Sequence, residues 1–196
     1  NRLNADWVKA MKRLSPKVII SLLEDSGKEY CTYIESLDPY ERATFSVAWA
    51  GEAESQNWFH IAREYTEKFH HQMQIRLAVG QTAELLKDEW YLPYLETSMR
   101  ALPHHYRNIS GAQNDLIKFT IQGETEHHWY LKFEESHWKL YTDFDGQPTA
   151  EVYISGAIAW RLFTKGIEKS AAISQSQIIG NQTFGLKIFD MLAVMA

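Results

Sequence analysis

A single cysteine, Cys31, is the only thiol in this chain of 196 residues. One thiol excludes an internal disulfide framework and any Cys-rich zinc site, and it suits a reducing compartment. Basic runs are missing too. The net charge is −5 and the isoelectric point is near 5.9, so a phosphate backbone finds no electrostatic footprint and nucleic acid is excluded as a partner. No apolar run approaches the roughly 18 residues of a membrane span and no signal peptide precedes the first helix, so a soluble, cytoplasmic protein without a membrane partner is expected. Gly-rich phosphate loops, a Gly-x-Ser-x-Gly elbow and a dinucleotide fingerprint are all lacking, which removes the enzyme classes that advertise themselves by motif. What is present is ordinary core material. A hydrophobic content of 45% is enough for one large domain or two small ones.

The five prolines punctuate rather than fill. Ser15-Pro16 supplies a cap residue followed by Pro at the first helical position, so a short helix over about Ala5 to Leu14 gives way to a second, with Val18, Ile19, Leu22 and Leu23 on its apolar side. Asp38-Pro39 ends that helix near Leu37, because the residue before Pro is pushed out of the helical region. Tyr40 to Gly51 reads as an irregular connector with a strand-like alternation at Phe45, Val47 and Trp49. Glu54 or Ser55 caps a long helix from Trp58, which Gly80 ends. A further helix spans about Leu92 to Leu102, where Pro103 interrupts.

After Tyr106 the period changes from helical to two-residue. Ile117, Phe119 and Ile121 alternate with Lys118, Thr120 and Gln122, and Trp129, Leu131 and Phe133 repeat the pattern. Glu134-Glu135-Ser136 turns the chain into Trp138 to Tyr141, which makes a hairpin. Asp145-Gly146 is a turn, and Glu151 to Ile154 is a short strand. Ala157 to Phe163 is helical, Ile173 to Ile179 is a strand, Gly180-Asn181 is a turn, and Phe184 to Met195 is a closing helix. The fold class is therefore α+β: a helical portion over residues 1–110 and an α+β portion over 111–196, divided near 107–114.

The chemistry concentrates in WFHIAREYTEKFHHQMQIRLAVG, residues 58–80. Trp58, Ala62, Tyr65, Phe69 and Met73 make an apolar stripe, and His60, Glu64, Glu67 and His71 recur on nearly the opposite side. Glu67 and His71 are four apart, so both project from one helix face and can reach one cation, but a working site needs a third donor and an open position. The same face could instead meet water or another part of the chain. Glu67 and His70 form one Glu-x-x-His of the kind used twice in di-iron bundles, and the second copy is missing, since Glu124 to His127 falls at a strand boundary. His104-His105 and His127-His128 are adjacent pairs whose side chains diverge, read as surface or core residues. Cys31, among Tyr30, Tyr33 and Ile34, is read as a buried, inert thiol. The tryptophans, Trp49, Trp90, Trp129, Trp138 and Trp160 among them, are read mostly as core.

AREYTEKFHHQMQIRLAVG resembles a stretch of proteins related to mycothiol-dependent maleylpyruvate isomerase, in the DinB-like superfamily of metal-binding helical bundles. The likeness continues in RALPHHYRNI at 100–109, AWRLFTKGI at 159–167 and the ending IIGNQTFGLKIFDMLAVMA. The resemblance implies a DinB-like bundle portion followed by a sterol-carrier-like α+β domain. In that family one His on an early helix and a Glu-x-x-x-His pair hold the metal. The pair falls on Glu67 and His71. The early His has no counterpart, since no His precedes Trp58, so the resemblance places the third ligand upstream of Asn1 or implies that it has been lost. His60 lies about three turns from His71, roughly 16 Å at a 1.5 Å rise, too far to replace it.

The function implied is a metal-dependent isomerase or S-transferase of unknown small-molecule substrate. A divalent ion, zinc foremost, would lower the pKa of a bound low-molecular-weight thiol such as mycothiol. The alternative, from a different class, is a non-catalytic, metal-free binding module with a degenerate site, in which two copies pair as a homodimer to cover the apolar surface of an incomplete bundle.

Overall fold

A computed structural model describes residues 2–194 and divides the chain into two compact units, residues 1–41 and 42–196. The first unit holds helices α1 (Arg2–Met11) and α2 (Pro16–Ser36). Ser15 caps α2 by accepting from the Val18 N–H, with Pro16 in the first turn, and Leu37 leaves the helix in an extended conformation. Both features follow from the Ser-Pro and Asp-Pro pairs that bracket the segment. Neither helix contains a buried residue. Cys31 is accordingly exposed, which corrects the expectation of a buried thiol: a core can enclose a side chain only on a helix face that packs.

The second unit holds α3 (Asn57–Ala78), α4 (Asp88–Met99) and α5 (Leu102–Tyr106). Strands β1 (Leu116–Gln122), β2 (Glu126–Glu134), β3 (His137–Tyr141) and β4 (Ala150–Ser155) follow. The chain then forms α6 (Gly156–Phe163), α7 (Lys169–Ser174), β5 (Gln177–Gly180) and α8 (Gln182–Lys187). The sheet order is β3-β2-β1-β4-β5, antiparallel except for the parallel β1–β4 pair. Register aligns Ile117, Phe119 and Ile121 with Leu131, Trp129 and His127 on one side and with Ala150, Val152 and Ile154 on the other. These apolar side chains therefore share one sheet face. That face and Phe69, Met73, Tyr91, Tyr94 and Leu95 of α3 and α4 belong to one continuous core, which runs on to Ala193 and so crosses residue 110.

Several boundaries differ from the sequence reading for local reasons. The alternation at Phe45, Val47 and Trp49 is not a strand: Ala48–Ala50 forms a single 3-10 turn closed by Gly51 at φ 87°. Helix α4 begins at Asp88, with Pro93 inside it. The proline leaves the Glu89 carbonyl without its helical donor, but both residues are exposed and water can serve. Pro103 opens α5 instead of interrupting a helix. Ile173 lies on α7 and β5 starts only at Gln177. The closing helix ends at Lys187 and passes into a 3-10 turn, and Met195, its expected end, lies outside the described residues. Trp90 is 40% exposed, unlike Trp129, Trp138 and Trp160 in the core. Among the described residues no helix is long and apolar enough to cross a membrane.

Candidate metal centre on helix α3

Helix α3 starts without the expected cap. The Ser55 hydroxyl donates to Glu52 and accepts from the Val47 N–H at 2.8 Å, and the N-cap position falls to Gln56, whose side chain makes no capping bond. The helix is therefore anchored by packing. Phe69 stacks on Tyr94 at 4.5 Å and on Tyr91 at 5.7 Å, and the Tyr65 hydroxyl donates to the Trp90 carbonyl at 2.7 Å. Burial rotates the inner stripe by about one residue from the apolar pattern. Phe59, Arg63, Thr66, His70 and Met73 are buried along with Phe69, while Trp58, Ala62 and Tyr65 are only partly covered. A helix with an apolar face and a separate His/Glu face thus gives way to one whose buried side includes a cation and an imidazole.

Glu67 and His71 do come together, and His70 joins them. One donor atom from each of the three lies within 4.8 Å of the others. Donors bound tetrahedrally to one zinc ion at about 2.1 Å lie about 3.4 Å from one another, so side-chain rotation has to draw the set together around an ion. His70 is 8% exposed, and its Nδ1 is buried with no hydrogen-bond partner. A buried imidazole nitrogen without a partner costs free energy that an ion would recover. The ring lies 5.1 Å from that of His71, nearly parallel. Burial, followed by the neighbouring His71, pulls the His70 pKa below its ordinary value, against the opposing pull of Glu67. His70 is therefore neutral at physiological pH, the form that ligates. His71 Nδ1 lies 3.0 Å from Gln74 Oε1. An amide oxygen only accepts, so Nδ1 is the donor in that bond and Nε2 is the ring nitrogen left to face a metal.

The other titratable residues of the sequence reading separate into distinct local roles. Glu64 pairs with the buried Arg63 at 2.7 Å, and His60, its pKa lowered by burial and by Arg63, has a buried Nδ1 with no hydrogen bond. His105 sits 2.8 Å from the Lys187 carbonyl. His128 bonds across the β1–β2 ladder to Thr120 at 3.1 Å. Asp88, at the first turn of α4, accepts from Thr125 and from His127 at 2.9 Å, while Glu124 accepts from the Asp88 N–H at 3.0 Å. The Glu124-to-His127 spacing is thereby absorbed in a clamp between the β1–β2 turn and the start of α4. His70 is the residue that the family-derived pair passed over. Its signal in the sequence was the Glu67-x-x-His70 spacing, which sets a third donor one turn from Glu67.

No family model matches the chain, and no curated protein gives a significant match. Among solved structures, sterol carrier protein domain 2 of Helicoverpa armigera is 18% identical, with 55% of this chain aligned to 80% of that one at a TM-score of 0.33. Sterol carrier protein 2 from Yarrowia lipolytica is 12% identical, with 69% aligned to 86% at 0.33. A ubiquinone synthesis protein, UbiJ-SCP2, is 14% identical, with 62% aligned to 96% at 0.31. These names include the sterol carrier type, and superpositions this loose carry nothing about ligand or activity to this chain.

Proposed function

We propose that the chain is a divalent-metal protein whose centre is Glu67, His70 and His71, with zinc as the favoured ion. The observation that carries this reading is that one donor atom from each of Glu67, His70 and His71 lies within 4.8 Å of the others, in a set of which His70 has a buried Nδ1 with no partner. One carboxylate and two imidazoles are borderline donors that suit zinc over the oxygen-seeking ions. Three protein donors leave a fourth position for an exogenous molecule. When bound, the ion supplies a Lewis acid that lowers the pKa of a thiol or water in that position. The chain's residues set the conditions: burial lowers the His70 pKa and so favours its ligating form, Gln74 engages Nδ1 of His71, and Glu67 brings a carboxylate to the set. With the resemblance to the DinB-like, maleylpyruvate-isomerase-related proteins, this supports a metal-dependent isomerase or S-transferase that uses a low-molecular-weight thiol such as mycothiol. Elemental analysis of freshly purified protein is expected to find about one divalent ion per chain, lost in His71→Ala; a metal-free preparation that takes up no zinc would refute it.

A different observation favours a second reading. Leu3, Trp7, Val18, Ile19, Leu22 and Leu23 are all exposed on α1 and α2, and large apolar side chains left in water in such number favour an interaction site. Two copies paired through these helices would make a homodimeric binding module that needs no metal. Light scattering at micromolar concentration tests it, and a strict monomer would sink it.

A further inference from the structure

Apart from α3's polar residues, the second unit has a cleft of about 410 Å3 between the end of α4 and the end of β3. Trp129, Leu140 and Tyr141 make its apolar wall, and Glu96, Arg100 and Asp143 bring charge to it. We propose that this cleft binds a small zwitterion with an apolar body, the chemistry of a free amino acid with an aromatic or aliphatic side chain.

The state of its charges is what points to such a ligand. On the neighbouring β2–β3 hairpin, charges satisfy one another: Lys132 pairs with Glu134 at 3.1 Å, and Lys139 pairs with Glu135 at 2.7 Å and with Glu134 at 3.3 Å. Around the cleft they do not. Among the described residues Arg100, Glu96 and Asp143 form no ion pair within 4.0 Å, although Glu96 and Arg100 are four apart at the end of α4, the spacing at which such a pair ordinarily closes. The reason is visible on the other side. The Arg100 guanidinium stands 4.8 Å from the ring centroid of Trp58 and 5.8 Å from that of Phe59, and the attraction of a cation to an aromatic face holds it away from Glu96. Arg100 is thereby a positioned cation with its donors unclaimed by any carboxylate. Trp129, 3% exposed, lines the same cleft.

Complementarity then selects the ligand. A simple anion would pair with Arg100 but face the two carboxylates, and a simple cation would meet the carboxylates but face Arg100. A molecule with a carboxylate and an ammonium on one carbon satisfies both signs, and its side chain can lie on Trp129 and Leu140. The volume fits, because small-molecule sites begin at about 300 Å3. The cleft is distinct from the α3 donors: Trp58, which supports Arg100, precedes Glu67 by roughly 13 Å of helix at 1.5 Å per residue. The inference does not depend on metal.

The test is a heteronuclear NMR titration of the intact chain with L-phenylalanine and L-leucine, following the Trp129 indole resonance assigned through Trp129→Phe. Both amino acids are expected to shift it at millimolar concentration. Phenylalanine amide, which lacks the carboxylate, and N-acetylphenylalanine, which lacks the ammonium, are expected to bind at least about ten-fold more weakly. Arg100→Gln and the exposed Glu96→Gln should each weaken binding by a similar factor; the second keeps the stacked guanidinium and so guards against loss of fold. Absence of any shift with either amino acid overturns the proposal, as does equal binding of the singly charged analogues or undiminished binding by both variants.

Discussion

Replacing His70 by leucine separates a metal ligand from a mere core residue. In the metal-free protein the imidazole is buried with an unpartnered Nδ1, a condition that costs about 1–3 kcal/mol. Leucine fills similar space without that cost, so His70→Leu should leave the apo protein as stable as the parent or raise its melting temperature by a few degrees. Zinc should do the opposite for the two proteins. An ion that binds only the folded state adds about 2.7 kcal/mol at a free concentration of about a hundred times its dissociation constant. For a unit of about 150 residues each kcal/mol is worth roughly 2–4 °C, so the parent should melt about 5–11 °C higher with zinc. His70→Leu should lose that shift. Thermal unfolding by far-UV circular dichroism, after chelator treatment and with zinc or magnesium added back, reads both effects; magnesium, which prefers oxygen ligands, should do little. The reasoning fails if zinc stabilises the variant as much as the parent, or if the apo variant loses more than about 1 kcal/mol, since the imidazole would then have a structural partner.

Three further outcomes follow from contacts elsewhere in the second unit. Tyr91 is 1% exposed and its hydroxyl donates to the Gly156 carbonyl at 2.7 Å; Tyr91→Phe should cost about 1–3 kcal/mol in urea unfolding, because the carbonyl is left buried without a donor. Gly51 has φ 87°, and a Cβ there would run into the His104 ring; Gly51→Ala should cost at least about 1 kcal/mol by the same measurement, from the left-handed conformation alone. The hydrogen bond from Thr125, followed by that from His127, holds the Asp88 carboxyl below its ordinary pKa. A depressed carboxylate contributes stability above its unfolded pKa of about 3.9 and loses it as pH falls through the folded value. Asp88→Asn should therefore melt with a shallower decline than the parent below about pH 4, and an unchanged slope in thermal melts would contradict it.

Elements bracketed by strong local signals were legible in the sequence. Ser15-Pro16 and Asp38-Pro39 give α2 its ends within a residue or so, because proline acts through its own ring and needs no tertiary partner. The β2–β3 hairpin was legible from alternation and a polar turn. Its turn residues, Glu135 at φ 53° and Ser136 at φ 67°, occupy the left-handed region without glycine, which the sequence did not disclose. What could not be read was whatever a distant partner decides. Ile173 and Ile178 look alike as isolated isoleucines, yet one lies on α7 and the other pairs with Val152 across β4–β5. The parallel β1–β4 pair was hidden for the same reason: it joins strands separated by a whole hairpin.

The same distinction governs the candidate centre. Helical spacing correctly sets Glu67 and His71 on a common face, because that is a property of one helix. It cannot say which of two adjacent histidines turns inward. That is settled by Phe69, which stacks on Tyr91 and Tyr94 of α4 and so orients the helix with His70 on its buried side and His71 in solvent. The outcome gives the two imidazoles unequal parts. His71 is solvent-exposed beside Gln74, whereas His70 is already desolvated and keeps an uncompensated nitrogen until an ion arrives. Most of the cost of preparing a ligand is therefore met in folding, so the free energy that an ion recovers at His70 should exceed what it recovers at His71. A comparison of zinc affinity in His70→Ala and His71→Ala by calorimetry should show the larger loss at His70, and a larger loss at His71 would mean that the buried nitrogen does not face the ion.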